Sequence, residues 1–408
     1  MFTDKLKGLQ SWLWLALVNL LLATTIGALL RFAFVAEIGW LPYRNFLHAH
    51  SHVAMLGWVG QALFILLIGS FTKELSQKQL TRYHWLLGLS QASIWGMLIC
   101  FPLFGYASWS IVFTTANILT AYGLIYQLSK DANLKGWPGR WLAAALFFQV
   151  LSTLPLWGMA PLIYFDMQGT ALYYAAIQFF LHFQFNGWFT FSLLALLFAW
   201  MQRRQFRIDE QSMRWFYRLL LPASALTYAL AIAWSTPLPI VFGINSTGVI
   251  IQGMALFFFL RLLRSSSINW SSFSDHWERR LLTIALVSYT VKVVVQALVV
   301  IPFIAEAAYT IRNYVIGFIH LLQLGIFTAS ILAFAQMIQL LHWQKINLRI
   351  GLSLLFMGFF LSEGLLFLQG TLFWGAMGFL PFYYEFLFAA SALMPLGILL
   401  LVIRKPVA

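Results

Sequence analysis

Long apolar stretches separated by short polar connections recur along the whole chain. Each is about the length a helix needs to cross the hydrocarbon core of a bilayer at 1.5 Å per residue. The pattern predicts twelve spans, near 11–35, 45–71, 82–104, 107–128, 140–163, 170–201, 214–236, 244–264, 280–303, 309–341, 346–370 and 382–403. The first continues into further spans and has no small-residue cleavage site, so it reads as an uncleaved helix. The second opens on HAHSHVAMLGW at 48–58, three histidines in five residues before the chain turns apolar. Imidazole is a costly guest in hydrocarbon and marks a functional position by default.

A repeat is hidden in the histidines. HVAMLGWVGQALFILL from His52, HFQFNGWFTFSLLALL from His182 and HLLQLGIFTASILAFA from His320 share one pattern: histidine, four residues, glycine, then an apolar run. The glycines are Gly57, Gly187 and Gly325, and the first two copies also share a tryptophan, Trp58 and Trp188. The histidines fall on spans two, six and ten, 130 and 138 residues apart. Each lies about 7 to 12 residues into its span, roughly 10–18 Å deep at the helical rise. This spacing predicts an all-α integral membrane fold, a pseudo-threefold bundle of four-helix units. Two units are expected near 82–201 and 214–341, and the third is formed by 346–403 together with 11–71, all within one polytopic domain, 1–408. A twofold transporter repeat would have a period near 200 residues. That step from His52 lands near GMALFFF at 253–259, which has no histidine.

Composition and charge refine the picture. The chain has 408 residues, 61% hydrophobic and 9% charged, too few charges to cover a soluble domain. Of its 25 basic residues, all but Arg31, Arg44, Arg312 and Lys292 fall before the first span, on alternate connections, or after the last. Basic residues avoid translocated loops, so both termini are expected in the cytoplasm. The +13 net charge is then a topology signal, and nucleic acid is not expected as a partner. The expected surroundings are a lipid bilayer, the bacterial inner membrane. Cys100 is the single cysteine, so no internal disulfide forms, and no CxxCH motif attaches a c-type haem. No Walker A or dinucleotide-binding fingerprint occurs, which leaves the helices to carry the chemistry.

On a helix, positions i and i+4 share a face while i+2 points nearly away. His48 and His52 can therefore serve one site, and His50 faces another helix or the outer surface. Neutral imidazole ligates haem iron, copper or zinc, and two histidines at one depth on different helices can clamp a haem. The alternative is that they hydrogen-bond across helices or line a polar cavity. A glycine at i+5 admits a flat ligand or a neighbouring helix close to the backbone. Lys292 in span nine and Glu363 in span eleven are ionisable groups in apolar surroundings. They read as an ion pair, or as candidates for a proton path. Arg44 and Arg312 just precede histidine-bearing helices and suit haem propionates or interfacial water equally. Gln184 and Asn186 favour a cavity or His182 over lipid.

Histidines on the second, sixth and tenth of twelve helices resemble the catalytic subunit (subunit I) of haem–copper oxidases and nitric oxide reductases. HSHVAMLG at 50–57 and HLLQLG at 320–325 are more closely similar to the NnrS-type haem- and copper-containing membrane proteins linked to nitric oxide stress. The resemblance implies that His52 (or His50) and His320 form a haem b pair, with Arg44 and Arg312 near it. It implies that His182 is a metal or second-haem ligand, and that His48, His52, His182 and His320 are the histidines available to metal, copper included. It implies a redox or gas-response role, with a separate electron donor or oxidase subunits as partners. The sequence departs from the oxidases in one respect: span seven carries no histidine and span ten only His320 within the membrane. A three-histidine copper site cannot then be assembled in the oxidase manner. Two other readings stand beside this one. The first is a transporter or channel for a metal or small ligand that uses intramembrane histidines. The second is a cofactor-free assembly or structural factor on the same scaffold. Whether the chain is an enzyme stays open.

Overall fold

Among the described residues, twelve helices long and apolar enough to cross a membrane occupy the predicted stretches: α1 (Lys5–Phe32), α2 (Tyr43–Phe71), α3 (Gln77–Phe104), α4 (Ser108–Asp131), α5 (Gly136–Tyr164), α6 (Ala171–Arg203), α7 (Glu210–Ala233), α8 (Pro239–Ser265), α9 (His276–Leu298), α10 (Arg312–Met337), α11 (Ile346–Trp374) and α12 (Tyr383–Val402). The computed structural model describes residues 2–266, 276–341 and 345–403. His342, Arg404 and Lys405 lie outside the described residues. Among the described residues there is no β-strand, only an isolated bridge between Thr72 and Ala132. The main departure from the sequence map lies between spans nine and ten. There α9 ends at Leu298 and a separate short helix runs Pro302–Thr310. Pro302 opens that helix, where a missing N–H loses no hydrogen bond and a fixed φ suits the first turn.

The chain forms two compact units. The first joins Met1–Asn133 to Ile319–Ala408, and the second is Leu134–Phe318. Burial ranks the helices within them. In α2, 78% of the apolar stretch is buried and in α6 83%, followed by α10 at 56%; none of the other nine exceeds 44%. The three helices that carry the histidine repeat are thus the three most enclosed. Elsewhere large apolar side chains such as Ile99, Leu103, Phe147, Ile250, Phe257 and Phe367 face outward, as a lipid-facing surface requires.

Short polar contacts set the helix ends. In the first unit Ser76 and Gln79 form a reciprocal capping box at the start of α3, the S-x-x-Q signature. The buried Lys5 donates to the Thr72 carbonyl at the end of α2 (2.6 Å), a cation on the negative end of a helix dipole. In the second unit Thr170 caps α6, accepting from the Tyr173 N–H. Asp209 caps α7, accepting from the Gln211 N–H (3.2 Å) and the Ser212 hydroxyl (2.6 Å). The Ser212 hydroxyl, followed by the neighbouring N–H groups and Arg261, holds the Asp209 carboxyl below its usual range. A lowered carboxyl stabilises the fold above the ordinary aspartate range, and that contribution disappears as pH falls through the lowered value. Asp209→Ala is expected to cost about 0.5–2 kcal/mol at neutral pH. In thermal unfolding, the gap between wild type and variant should close on acidification.

Candidate functional site

Each repeat histidine stands at a change of helical winding. Directly after His52, His182 and His320 the backbone passes into π-helix, over Val53–Gly60, Phe183–Phe189 and Leu321–Thr328. Such i→i+5 segments are rare and gather at functional sites. Two of them share a side-chain device. The Thr190 hydroxyl donates to the Phe185 carbonyl and the Thr328 hydroxyl to the Gln323 carbonyl, both 2.7 Å and five residues back. The conserved spacing within the chain is therefore histidine, glycine at +5 and, in the second and third copies, threonine at +8. In the first copy that position is Gly60.

The glycines admit neighbouring side chains. A Cβ on Gly57 would lie 2.8 Å from Ile94 Cγ2 and 3.3 Å from Asn19 Cβ. One on Gly187 would lie 2.6 Å from Phe148 Cγ. Of the two occupants expected at i+5, a neighbouring helix fills the place in both copies.

In the first unit α2 is held on several sides. The Gly57 carbonyl accepts from Asn19 Nδ2 (2.9 Å), and Asn19 and Gln91 exchange a pair of hydrogen bonds of 3.0 Å each. Trp58 Nε1 donates to Thr328 Oγ1 (2.8 Å), so the π segments of α2 and α10 are joined through the threonine that braces one of them.

The three histidines of α2 separate as the helical geometry requires. His48 and His52 share a face and pack on the same two rings, Phe101 (6.0 and 4.5 Å between centroids) and Tyr106 (4.7 and 6.1 Å). His52 Nδ1 lies 2.9 Å from the His48 carbonyl, while His48 Nε2 is buried without a hydrogen bond. His50 turns to α1, its Nδ1 2.8 Å from the Ala23 carbonyl. Gly27 makes room for this ring, since a Cβ there would lie 2.9 Å from His50 Cε1. On α10, His320 Nδ1 lies 3.2 Å from Glu363 Oε1 of α11. His320 is also within electrostatic reach of His50, and Arg31 within reach of both His50 and Glu363.

These contacts fix proton positions. A carbonyl oxygen only accepts, so the Nδ1 atoms of His50 and His52 carry the hydrogen and Nε2 keeps its lone pair. Glu363 orients His320 the same way when ionised. An anchored Nδ1–H that leaves Nε2 basic is the arrangement that prepares a histidine to ligate a metal.

In the second unit His182 is differently placed. It is buried, its Nε2 donates to the Ser224 carbonyl (2.7 Å), and Asn186 Nδ2 stands 3.3 Å from Nδ1. Both ring nitrogens are engaged, so a metal bound at Nδ1 would have to displace Asn186. Gln184 donates to Gln149 Oε1 (2.6 Å) and Ser152 Oγ (2.8 Å). Lys292 is buried near the Tyr289 ring. Arg312 and, in the first unit, Arg44 are exposed in the first turns of α10 and α2.

Sequence reasoning missed Arg31, Asn19, Gly27 and the two threonines. Arg31 was visible as one of the few basic residues away from the basic connections, and the threonines as a shared +8 position. Among the described residues, no three histidine, cysteine, aspartate or glutamate side chains converge to hold a metal ion. No protein-family model matches the chain, and no curated protein matches it in sequence.

Proposed function

We propose that this chain is a haem-binding membrane protein of the oxidase subunit I-like type, in which His50 and His320 would hold the haem. The observation that carries this reading is the state of the two rings. Each is held through Nδ1, by the Ala23 carbonyl and by Glu363, on two helices of one unit, with Nε2 left for iron. Two anchored imidazoles are the donor set of a low-spin b-type haem, and they need no third ligand. Bound there, a haem would supply reversible one-electron chemistry. Glu363 would set the tautomer of His320, and Arg31 would offset the carboxylate. The resemblance names His52 first as the α2 ligand, with His50 as the alternative, but the electrostatic proximity of His50 to His320 favours His50.

His48 and His52 then form a separate pair on the Phe101–Tyr106 face, with copper as its candidate occupant. The role is a redox or nitric oxide and oxygen response, with electrons from a separate carrier. We also infer a pseudo-threefold disposition of four-helix units, both termini in the cytoplasm, and a place in the bacterial inner membrane. The histidine spacing supports the first and the alternating basic connections the second.

The test is the visible spectrum of the detergent-purified protein, oxidised and reduced, with haem and copper measured per chain. A low-spin b-type spectrum at one haem per chain is expected. A colourless protein without stoichiometric metal overturns the reading.

A further inference from the structure

The second unit contains a polar cluster that the histidine pair does not use. Lys292 is 3% exposed, yet its ammonium makes no hydrogen bond or ion pair among the described residues. No carboxylate is among the charges acting on it. Around it on α9, Tyr289 and Gln296 share its face at helical spacing, and the Tyr289 hydroxyl and Gln296 Oε1 are buried without hydrogen bonds. On α8, Asn245 Oδ1 and Gln252 Oε1 are in the same condition. Asn245, Gln252 and Phe259 follow one another at intervals of seven, along one face of α8.

One ring contact sets the register. Phe259 and Tyr289 lie 6.0 Å apart between centroids. Consecutive membrane-crossing helices run in opposite directions, so seven residues back from Phe259 and seven on from Tyr289 advance the same way, each by about 10 Å. Those steps lead to Gln252 and Gln296, with Lys292 between the levels. From α6, His182 lies within electrostatic reach of Lys292, and the neighbouring Gln184 Oε1 and Asn186 Oδ1 are again buried and unpartnered.

A buried ammonium without a counter-charge is among the most unfavourable groups a protein can carry, and a lone unsatisfied carboxamide adds to the penalty. A cation would be repelled by Lys292. A small anion would neutralise it and accept hydrogen bonds from carboxamides, which present their N–H₂ by a half-turn about the last side-chain bond. We propose that Lys292, Gln252 and Gln296 form an intramembrane site for a small monovalent inorganic anion such as chloride, with Asn245 farther along the α8 face. The proposal is independent of haem.

The test compares unfolding temperatures of the purified full-length protein in sodium chloride, bromide or nitrate with those in sodium gluconate at equal ionic strength. A ligand that binds only the folded state stabilises in proportion to ln(1 + [L]/Kd), so wild type should unfold a few degrees higher in the small anions. Lys292→Met should lose this dependence and be at least as stable as wild type in gluconate, because an unpaired charge has been removed. Gln252→Leu should reduce the anion shift while Lys292 remains, and it serves if Lys292→Met does not fold. Wild type indifferent to the anion overturns the site. So does an anion shift that persists undiminished in Lys292→Met or Gln252→Leu.

Discussion

His320→Ala is expected to abolish the low-spin haem signal, and His50→Ala to do the same, while both variants keep their helical content. The expectation follows from the accounting of ring nitrogens: if these two imidazoles hold the haem, loss of either would leave it one donor short and would shift its spectrum away from low spin. His52→Ala provides the contrast. Its ring faces Phe101 and Tyr106 on the side of His48, so the haem signal should survive the change. Loss of haem in His52→Ala with retention in His50→Ala would reverse the assignment of the α2 ligand. Glu363→Gln keeps an oxygen near His320 Nδ1 but removes the charge. Changes to such supporting partners typically cost 10–100-fold in affinity, to be read by haem titration of the apoprotein.

A large effect on folding is expected at Gly187. An added Cβ meets Phe148 at 2.6 Å (Cγ) and 2.7 Å (Cβ). Phe148 cannot give way freely, because its ring packs on Phe183 (5.8 Å) and Phe191 (4.8 Å). Overpacking of this kind costs about 1–3 kcal/mol, so Gly187→Ala should unfold at clearly lower temperature than wild type. Gly60→Ala is the control. The nearest atom to its added Cβ is the Met55 carbonyl at 3.5 Å, an ordinary contact, and helix propensity alone favours alanine there. Adding Phe148→Leu to Gly187→Ala should recover part of the loss, a non-additivity expected of side chains in contact.

The sequence made the twelve spans and the histidine repeat legible for different reasons. Length and apolarity mark a membrane helix without any knowledge of its neighbours, and a repeated His-x₄-Gly is visible wherever the helices pack. The π winding was not legible, because in a segment such as VAMLGWVG nearly every position is apolar and no face distinguishes one period from another. The partner of His50 was hidden for another reason: Ala23 acts through its carbonyl, and a backbone acceptor leaves no trace in residue identity. Glu363 was visible as an intramembrane acid, but its pairing with His320 depends on how α10 and α11 pack. The short helix at Pro302–Thr310 could have been read from Pro302, a residue that opens helices readily.

The π segments have a consequence for how this chain tolerates insertion and deletion. Loss of a single residue between Val53 and Gly60 can be absorbed where it falls, because the segment can tighten from i→i+5 to ordinary α winding, which holds about one residue fewer per turn. The same loss at Ser51, in the α-wound stretch, has no such reserve and would turn one side against the other by about 100°. Trp58 and Thr328 lock the far part of α2 to α10, so that rotation would fall on the histidine end and swing His50 away from Ala23. Drift in length is therefore more tolerable within the π segment than in the α turns beside it.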